Sequence, residues 1–180
     1  MNLQNITLIS FGYFGREILE KAAGSVGQEF NCLVGIKEGH IDLSEFYDSA
    51  RRQYNGNNLL KQVDAVSLPD SYKTLGIFNV DLFIPILTFI FGQAFLGGRT
   101  GIASIYRLDN ERYGMVGDNQ ILLNRLTKEI IHELGHTFGL IHCLNPSCVM
   151  RSSTYVEDID QKTQNLCSKC KEEFISLTGF

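Results

Sequence analysis

Three of the four histidines in this 180-residue chain fall within eleven residues, in the stretch HELGHTFGLIHC from His132 to Cys143. On a helix, residues four apart share a face, so His132 and His136 can present two imidazoles to one ion. Glu133 lies about 100° further round, where a carboxylate can take a proton from water without occupying a coordination position. Gly139 permits the left-handed backbone that ends a helix and turns the chain, so His142 can return as a third ligand. Three nitrogen ligands leave one position open, the arrangement of a catalytic zinc and not of a structural one. A zinc there would lower the pKa of its water towards about 7 and polarise a scissile carbonyl, with Glu133 as general base and then general acid. Neutral imidazoles also suit iron and cobalt. A bare HExxH fits a polar surface helix as well; the longer HExxHxxGxxH, with its glycine at the break, is far more demanding.

Four of the five cysteines follow directly, as Cys143-x4-Cys148-x18-Cys167-x2-Cys170. Two close pairs joined by a longer loop are how small loops fold around tetrahedral zinc, and such a segment gains much of its order from the metal. Reduced unligated thiols and disulfides are the other readings. Adjacent residues in an extended or turning chain project in different directions, so His142 and Cys143 can serve different ions. Two zinc sites, one catalytic and one structural, then use all seven ligands. Cys32, in an apolar run, reads as ordinary core.

The bulk composition agrees with a single globular domain over 1–180: 44% of residues are hydrophobic and 20% charged, which supports a substantial core. A net charge of -4 gives no basic excess for phosphates, so nucleic acid is not an expected partner. The apolar stretch DLFIPILTFIFGQAFLGG is interrupted by Pro85, Gln93 and glycines, short of a clean membrane span. The opening MNLQNITLISFGYFGRE has neither a basic n-region nor a small-residue cleavage site, which points to the cytoplasm and to reduced thiols.

Elements must position these ligands. NITLISFG reads as a buried strand ending at Gly12, REILEKAAGSV as a helix stopping at Gly24, and EFNCLVGI as a second strand, a β-α-β opening that favours a parallel pair. Asn55-Gly56 reads as a turn before a short amphipathic segment. TLGIFNVDLF and GIASIYRL are further strands, with FIFGQAF between them. The one long helical pattern runs from about 119 to 138, capped by Asp118 or Asn119, with Leu123, Leu126, Ile130, Leu134 and Phe138 on one stripe. Beyond Gly139 the chain reads as loop until a terminal helix in CSKCKEEFISLTG.

The residues from His132 to Cys170 resemble the archaemetzincins, a branch of the metzincin zinc peptidases. HELGHTFGLIH matches the metzincin zinc signature, and CLNPSCVM followed by CSKC matches the four cysteines and methionine of this branch; YDSARRQYN, DLFIPILTFIFGQA and SIYRL are similar to the family as well. The resemblance implies an α/β (α+β) fold: a twisted, mostly parallel five-stranded sheet with one antiparallel edge strand, an active-site helix and a small zinc-stabilised C-terminal subdomain. It divides the domain into 1–139 and 140–180. It makes His132, His136 and His142 the ligands of a catalytic zinc, Glu133 the catalytic acid/base, and Cys143, Cys148, Cys167 and Cys170 the ligands of a structural zinc. Met150 becomes the Met-turn residue beneath the catalytic ion. FIFGQAF, from Phe89 to Phe95, becomes the edge strand along which an extended peptide is held. Tyr155, five residues past Met150, occupies a neighbourhood where some metzincins place a tyrosine that supports the transition state. Asp118 and Asp160 can be read as carboxylates that orient a histidine or as solvated loop groups.

The expected function is hydrolysis of peptide bonds by a cytoplasmic, monomeric or weakly associated zinc metallopeptidase of unspecified natural substrate. Two other readings remain, a zinc-stabilised peptide-binding module without turnover and an amidohydrolase of small amides. Glu133 beside three histidines favours an enzyme, because a scaffold has no use for that carboxylate.

Overall fold

A computed structural model of the chain describes residues 5–179; the first four residues of the opening stretch read above lie outside them. In chain order the elements are β1 (Asn5–Phe11), α1 (Arg16–Phe30), β2 (Leu33–Gly39), β3 (Tyr47–Asp48), β4 (Gln53–Asn55), α2 (Gly56–Val66), β5 (Lys73–Phe78), β6 (Leu82–Phe83), β7 (Gly92–Ala94), β8 (Thr100–Ser104), α3 (Asn119–Thr137), α4 (Val156–Gln161) and α5 (Ser168–Thr178).

The main sheet has five strands in the order β2-β1-β5-β8-β7, parallel throughout except for β7, which runs antiparallel to β8 at the edge. That is the expected mostly parallel sheet with FIFGQAF contributing its antiparallel edge. A second, three-stranded sheet (β3-β4-β6) lies beside it. Alternation sorts the central strands between two faces. Ile6, Leu8, Leu75, Ile77 and Ala103 pack with α1 and α3, whereas Ile9, Phe11, Phe78 and Ile102 pack with α2 through Leu59, Leu60 and Val63. A sheet covered on both faces buries residues of both parities, which is why apolar residues of NITLISF and TLGIF point to both sides and Thr7, Ser10 and Thr74 are buried as well.

The early boundaries differ from expectation. The first helix does not stop at Gly24; it continues to Phe30 because Val26 and Phe30 extend its apolar stripe into the core and are fully buried. The following strand therefore starts at Leu33, and the left-handed Asn31 (φ 49°) ends the helix. Asn55 caps a helix instead of opening a turn: its side chain accepts from Asn58 N. The segment after Gly139 also contains α4, whose start is fixed by Asp158 Oδ2 accepting from the N–H groups of Thr154 and Tyr155 at 2.9 Å each.

α3 is the spine of the molecule. Asp118 caps it, accepting from Gln120 N and Ile121 N. Leu123, Leu126, Ile130, Leu134 and Phe138 are all buried on the predicted stripe, each such side chain being worth about 1.5–3 kcal/mol. Arg125, buried on the same helix, forms a bidentate pair with Asp160 (2.8 and 2.7 Å) and donates to Leu108 O. Lys128 donates to Ile159 O at 3.0 Å. Asp118 and Asp160 are thus committed to a helix cap and an ion pair, and neither orients a histidine.

Candidate active site

The helix carries His132, Glu133 and His136 into the core and then stops abruptly. Leu140 N donates to Gly135 O (3.0 Å) and Gly139 N to His136 O (2.9 Å), with Gly139 at φ 100°, the paired bonds that close a helix around a left-handed glycine. Further hydrogen bonds reach the helix end from outside. Gly97 N donates to His136 O at 2.9 Å, and Lys73 Nζ donates to both Thr137 O and Gly98 O at 2.7 Å. Burial draws the Lys73 ammonium down to about 8. The loop that follows the edge strand is therefore tied to the end of the histidine helix.

From that turn the chain doubles back and brings His142 to the other two rings. Ring centroids lie 4.7 Å apart for His132 and His136, 5.3 Å for His132 and His142, and 4.9 Å for His136 and His142. One ligand nitrogen from each lies within 4.8 Å of the others. His132 Nδ1 meets Val149 O at 2.8 Å and His136 Nδ1 meets Leu140 O at 2.7 Å. A carbonyl only accepts, so each Nδ1 carries the proton and each Nε2 presents a lone pair. Those two Nε2 atoms sit 3.1 Å apart with no hydrogen to place between them, an arrangement that a cation resolves. Tetrahedral zinc with Zn–N near 2.0–2.1 Å requires an N···N edge of about 3.3 Å, so the pair fits that ion.

The electrostatics agree. Burial pushes all three histidines below their ordinary range, His132 furthest, with the Lys162 ammonium acting in the same direction. They are neutral at pH 7 and ready to ligate. Burial raises Glu133 well above the usual carboxylate range, and neighbouring Glu129 adds to the effect. The Glu133 carboxylate lies against the edge strand: a Cβ on Gly92 would sit 2.7 Å from Glu133 Oε1. Met150 is fully buried and packs against Gly135, between Glu133 and His136 in the chain.

The four cysteines converge separately. Their sulfurs lie within 4.8 Å of one another, with Cys143 Sγ 3.8 Å from Cys167 Sγ and Cys148 Sγ 3.8 Å from Cys170 Sγ. That exceeds a disulfide bond, at about 2.05 Å, and equals the edge of a tetrahedron with Zn–S near 2.3 Å, about 3.8 Å. Asn145 N and Cys167 N each donate to a sulfur, of Cys143 and Cys148, at 3.4 Å. The N–H of Cys170 draws the Cys167 thiol down to about 7, whereas burial pushes Cys148 and Cys170 up. Cys143 N donates to Met150 O at 3.0 Å, so the cysteine loop and the methionine turn are one unit. Cys32 lies apart, half-buried against the core, its thiol pushed up to about 11 by burial.

A cleft of about 620 Å³ opens over the histidines, lined by β7 on one side and by Ser152 to Tyr155 on the other. Tyr155 lines it and is largely exposed. Glu129 and Lys162 also line it, and neither carries a signature in the sequence. Lys162 is wholly buried, donates to Arg151 O at 2.9 Å, and lies 3.6 Å from Glu129 Oε1. The only available hint was the position of Glu129 four residues before Glu133, on the same helical face. Among the described residues, no helix is long and apolar enough to cross a membrane.

The chain is similar to known proteins. The chain is 40% identical over 136 residues to an archaemetzincin of Pyrococcus horikoshii, covering 73% of this chain and 72% of that protein. It is 35% identical over 152 residues to one of Archaeoglobus fulgidus, covering 84% and 88%. The crystal structure of an archaemetzincin from Methanopyrus kandleri superposes with a TM-score of 0.87 at 30% identity, over 99% of this chain and 97% of that one. That of a zinc-dependent peptidase from Methanocorpusculum labreanum gives 0.85 at 27%, over 94% and 99%. The profile of peptidase family M54 matches residues 30–175, a span that includes both the histidine triad and the four cysteines, and the chain belongs to that family, the archaemetzincins.

Proposed function

We propose that the cleft hydrolyses peptide bonds, with His132, His136 and His142 holding a catalytic zinc, Glu133 as the acid/base, and Cys143, Cys148, Cys167 and Cys170 holding a structural zinc. The observation that carries this reading is the approach of two unprotonated Nε2 atoms, fixed by carbonyls on their far sides, next to a buried carboxylate at a sheet edge. Zinc supplies a Lewis acid for the scissile carbonyl and makes water acidic near neutral pH.

The chain's own residues do the rest. β7 is the last strand of its sheet, so its outer backbone groups can take an extended peptide as an added strand. Glu133, whose proton affinity is raised by burial, takes a proton from the attacking water at its carboxylate and gives it to the leaving amine. Val149 O and Leu140 O keep two imidazoles in one tautomer and orientation. Met150 fills the floor beside Gly135. The chain is read as one metallopeptidase domain: residues up to 139 supply the sheet and α3, and residues 140–180 supply the methionine turn and cysteine site. It acts as a monomer in the cytoplasm on peptide or protein substrates.

Metal analysis and peptide cleavage by the wild type and Glu133→Ala test this. Two zinc ions per chain are expected in both proteins, with cleavage reduced about 10²- to 10⁴-fold in the variant. Equal cleavage by the two would overturn the role of Glu133. Fewer than two tightly bound metals would overturn the two-site reading.

A further inference from the structure

The stretch YDSARRQYN, from Tyr47 to Asn55, folds into a small hairpin that the proposed chemistry does not use. Its turn aims one side chain. Asp48 Oδ1 accepts from the N–H groups of Ala50 (2.9 Å) and Arg51 (3.0 Å), and Arg52 takes the left-handed conformation at φ 56°. The hairpin is registered against β6, where Tyr54 pairs with Leu82 and Tyr54 N donates to Asp81 O at 2.8 Å. Arg51 is thereby laid over the ring of Phe83, 4.4 Å from its centroid, at the end of β6.

Directly after Phe83 the chain crosses to β7 as a strap, residues 84–90, and the hairpin holds that strap by its backbone. Arg51 Nη1 donates to Leu87 O at 2.9 Å, Arg51 Nη2 to Pro85 O at 3.4 Å, and the buried Gln53 donates through Nε2 to Thr88 O at 2.9 Å. Three carbonyls within four residues thus find their donors on one hairpin. Nearer β7, Arg107 lies 4.1 Å over the Phe89 ring and is itself fixed by a bidentate pair with Asp81.

The strap has little else to hold it. Residues 85–88 are all exposed, Ile86 at 86% and Leu87 at 49%. A segment with so little buried surface opens readily unless its backbone is tied down. Yet Ile84, Leu87, Thr88, Phe89 and Ile90 form a wall of the cleft that also holds Glu133 and the three histidines. Thr88 stands four residues before Gly92, at most roughly 13 Å along an extended chain, and Gly92 lies against Glu133. A peptide laid along β7 in that direction meets the strap, whereas a small molecule held at the histidines does not.

We propose that Arg51 and Gln53 are positioning residues for the substrate: they hold the 84–90 strap in the conformation that receives an extended peptide, so the second sheet serves peptide binding away from the reacting bond. The inference rests on the cleft being a peptidase site. A wall ordered in advance lowers the entropy lost on binding and serves substrate and transition state alike, so its loss raises KM and leaves kcat.

The test compares wild type with Arg51→Met, Arg51→Lys and Gln53→Leu, all zinc-loaded. Three quantities are measured: hydrogen exchange of the Leu87 and Ile90 amides, which donate to Ile84 O and Leu82 O; KM and kcat for the octapeptide that wild type cleaves best from a library; and calorimetric binding of acetohydroxamate, which reaches no further than the metal. Arg51 is exposed, so Arg51→Met is expected to fold and to keep two zinc ions. It should exchange the strap amides at least about tenfold faster and raise KM at least about tenfold, with kcat within about twofold and acetohydroxamate bound as in wild type. Arg51→Lys, which keeps the charge and one donor direction, should recover part of both effects, and Gln53→Leu should act in the same sense as Arg51→Met. Unchanged exchange in Arg51→Met and Gln53→Leu would overturn the clamp whatever the activity. Faster exchange with unchanged KM, or a fall in kcat at constant KM, would overturn the role of the strap in peptide binding. If wild type cleaves no octapeptide while still binding acetohydroxamate, the peptidase reading fails, and the exchange rates alone then decide whether the hairpin clamps the strap.

Discussion

Gly135 faces Met150 with no room for a side chain between them: a Cβ on Gly135 would come within 2.9 Å of Met150 Cε and closer still to its sulfur. On helix propensity alone Gly135→Ala would gain about 1 kcal/mol. Overpacking against a fully buried side chain such as Met150 costs about 1–3 kcal/mol. The second effect is larger, so Gly135→Ala should be less stable by roughly 1 kcal/mol in urea denaturation. Met150→Ala, introduced into that variant, should recover part of the loss, since the two residues are coupled. A rise in stability for Gly135→Ala alone would show the contact to be slack.

Gly92 stands in a similar relation to Glu133, the proposed acid/base. A Cβ there would lie 2.6 Å from Ile102 O and 2.7 Å from Glu133 Oε1, and the first of these is backbone in the neighbouring strand, which cannot rotate away. Gly92→Ala must therefore lift the edge strand from β8 or displace the Glu133 carboxylate. Peptide cleavage should fall at least about tenfold, because misplacing a catalytic group by about 1 Å can cost 10²-fold. The zinc content should stay at two per chain. A fall in kcat identifies displacement of Glu133, whereas a rise in KM alone identifies loss of the peptide-binding edge.

Much of this site was legible because its ligands are local in sequence. His132 and His136 are one helical turn apart, Gly139 marks the break, and His142 and Cys143 follow at once, so spacing carries most of the geometry. The partners that orient the histidines were not legible, because Val149 O and Leu140 O are backbone groups and have no residue-type signature. Nor was the Glu129–Lys162 pair, whose members meet only when α4 docks beside α3; in sequence each reads as an ordinary charged surface residue. The errors in the first third have a common cause. Local preference points to a stop at Gly24 and a turn at Asn55-Gly56, but burial of Val26 and Phe30 outweighs one helical glycine, and Asn55 serves as a helix cap.

The two metal sites should respond differently to acid. Burial lowers the pKa of all three histidines, so between those values and about 6.5 the unfolded chain binds more protons than the folded one. The metal-free protein therefore loses stability as pH falls below about 6.5. Above that range the imidazoles are neutral and bind zinc without releasing protons. Cys148 and Cys170 behave oppositely: burial raises them, so zinc must displace their protons near neutral pH. Dialysis against a chelator from about pH 8 down to 6 should strip the cysteine site first and steeply, with the histidine site following at lower pH. Calorimetry in two buffers of different ionisation enthalpy should report proton release mainly from the cysteine site. Loss of both ions at one pH would contradict the separation.

One peptide bond joins the proposed catalytic ligands to the proposed structural site, and Cys143 is the place to test that link. Its sulfur belongs to the four-cysteine cluster, its N–H holds Met150 O at 3.0 Å, and its neighbour is His142. Leu140 O fixes the His136 ring from within the helix turn, whereas His132 is held by Val149 O, between Cys148 and Met150, and His142 depends on the course of the chain between Gly139 and Cys143. Cys143→Ser removes one thiolate and replaces it with a weak zinc ligand, loosening a segment whose order relies on the metal. The variant should bind one zinc instead of two and unfold at lower temperature. It should cleave peptides at least about tenfold more slowly, although no catalytic ligand has changed. Cys32→Ser, a substitution of the one thiol outside the cluster, should leave zinc content and activity as they are. Full activity in Cys143→Ser with a single zinc would mean that the histidine site holds its shape without the cysteine loop.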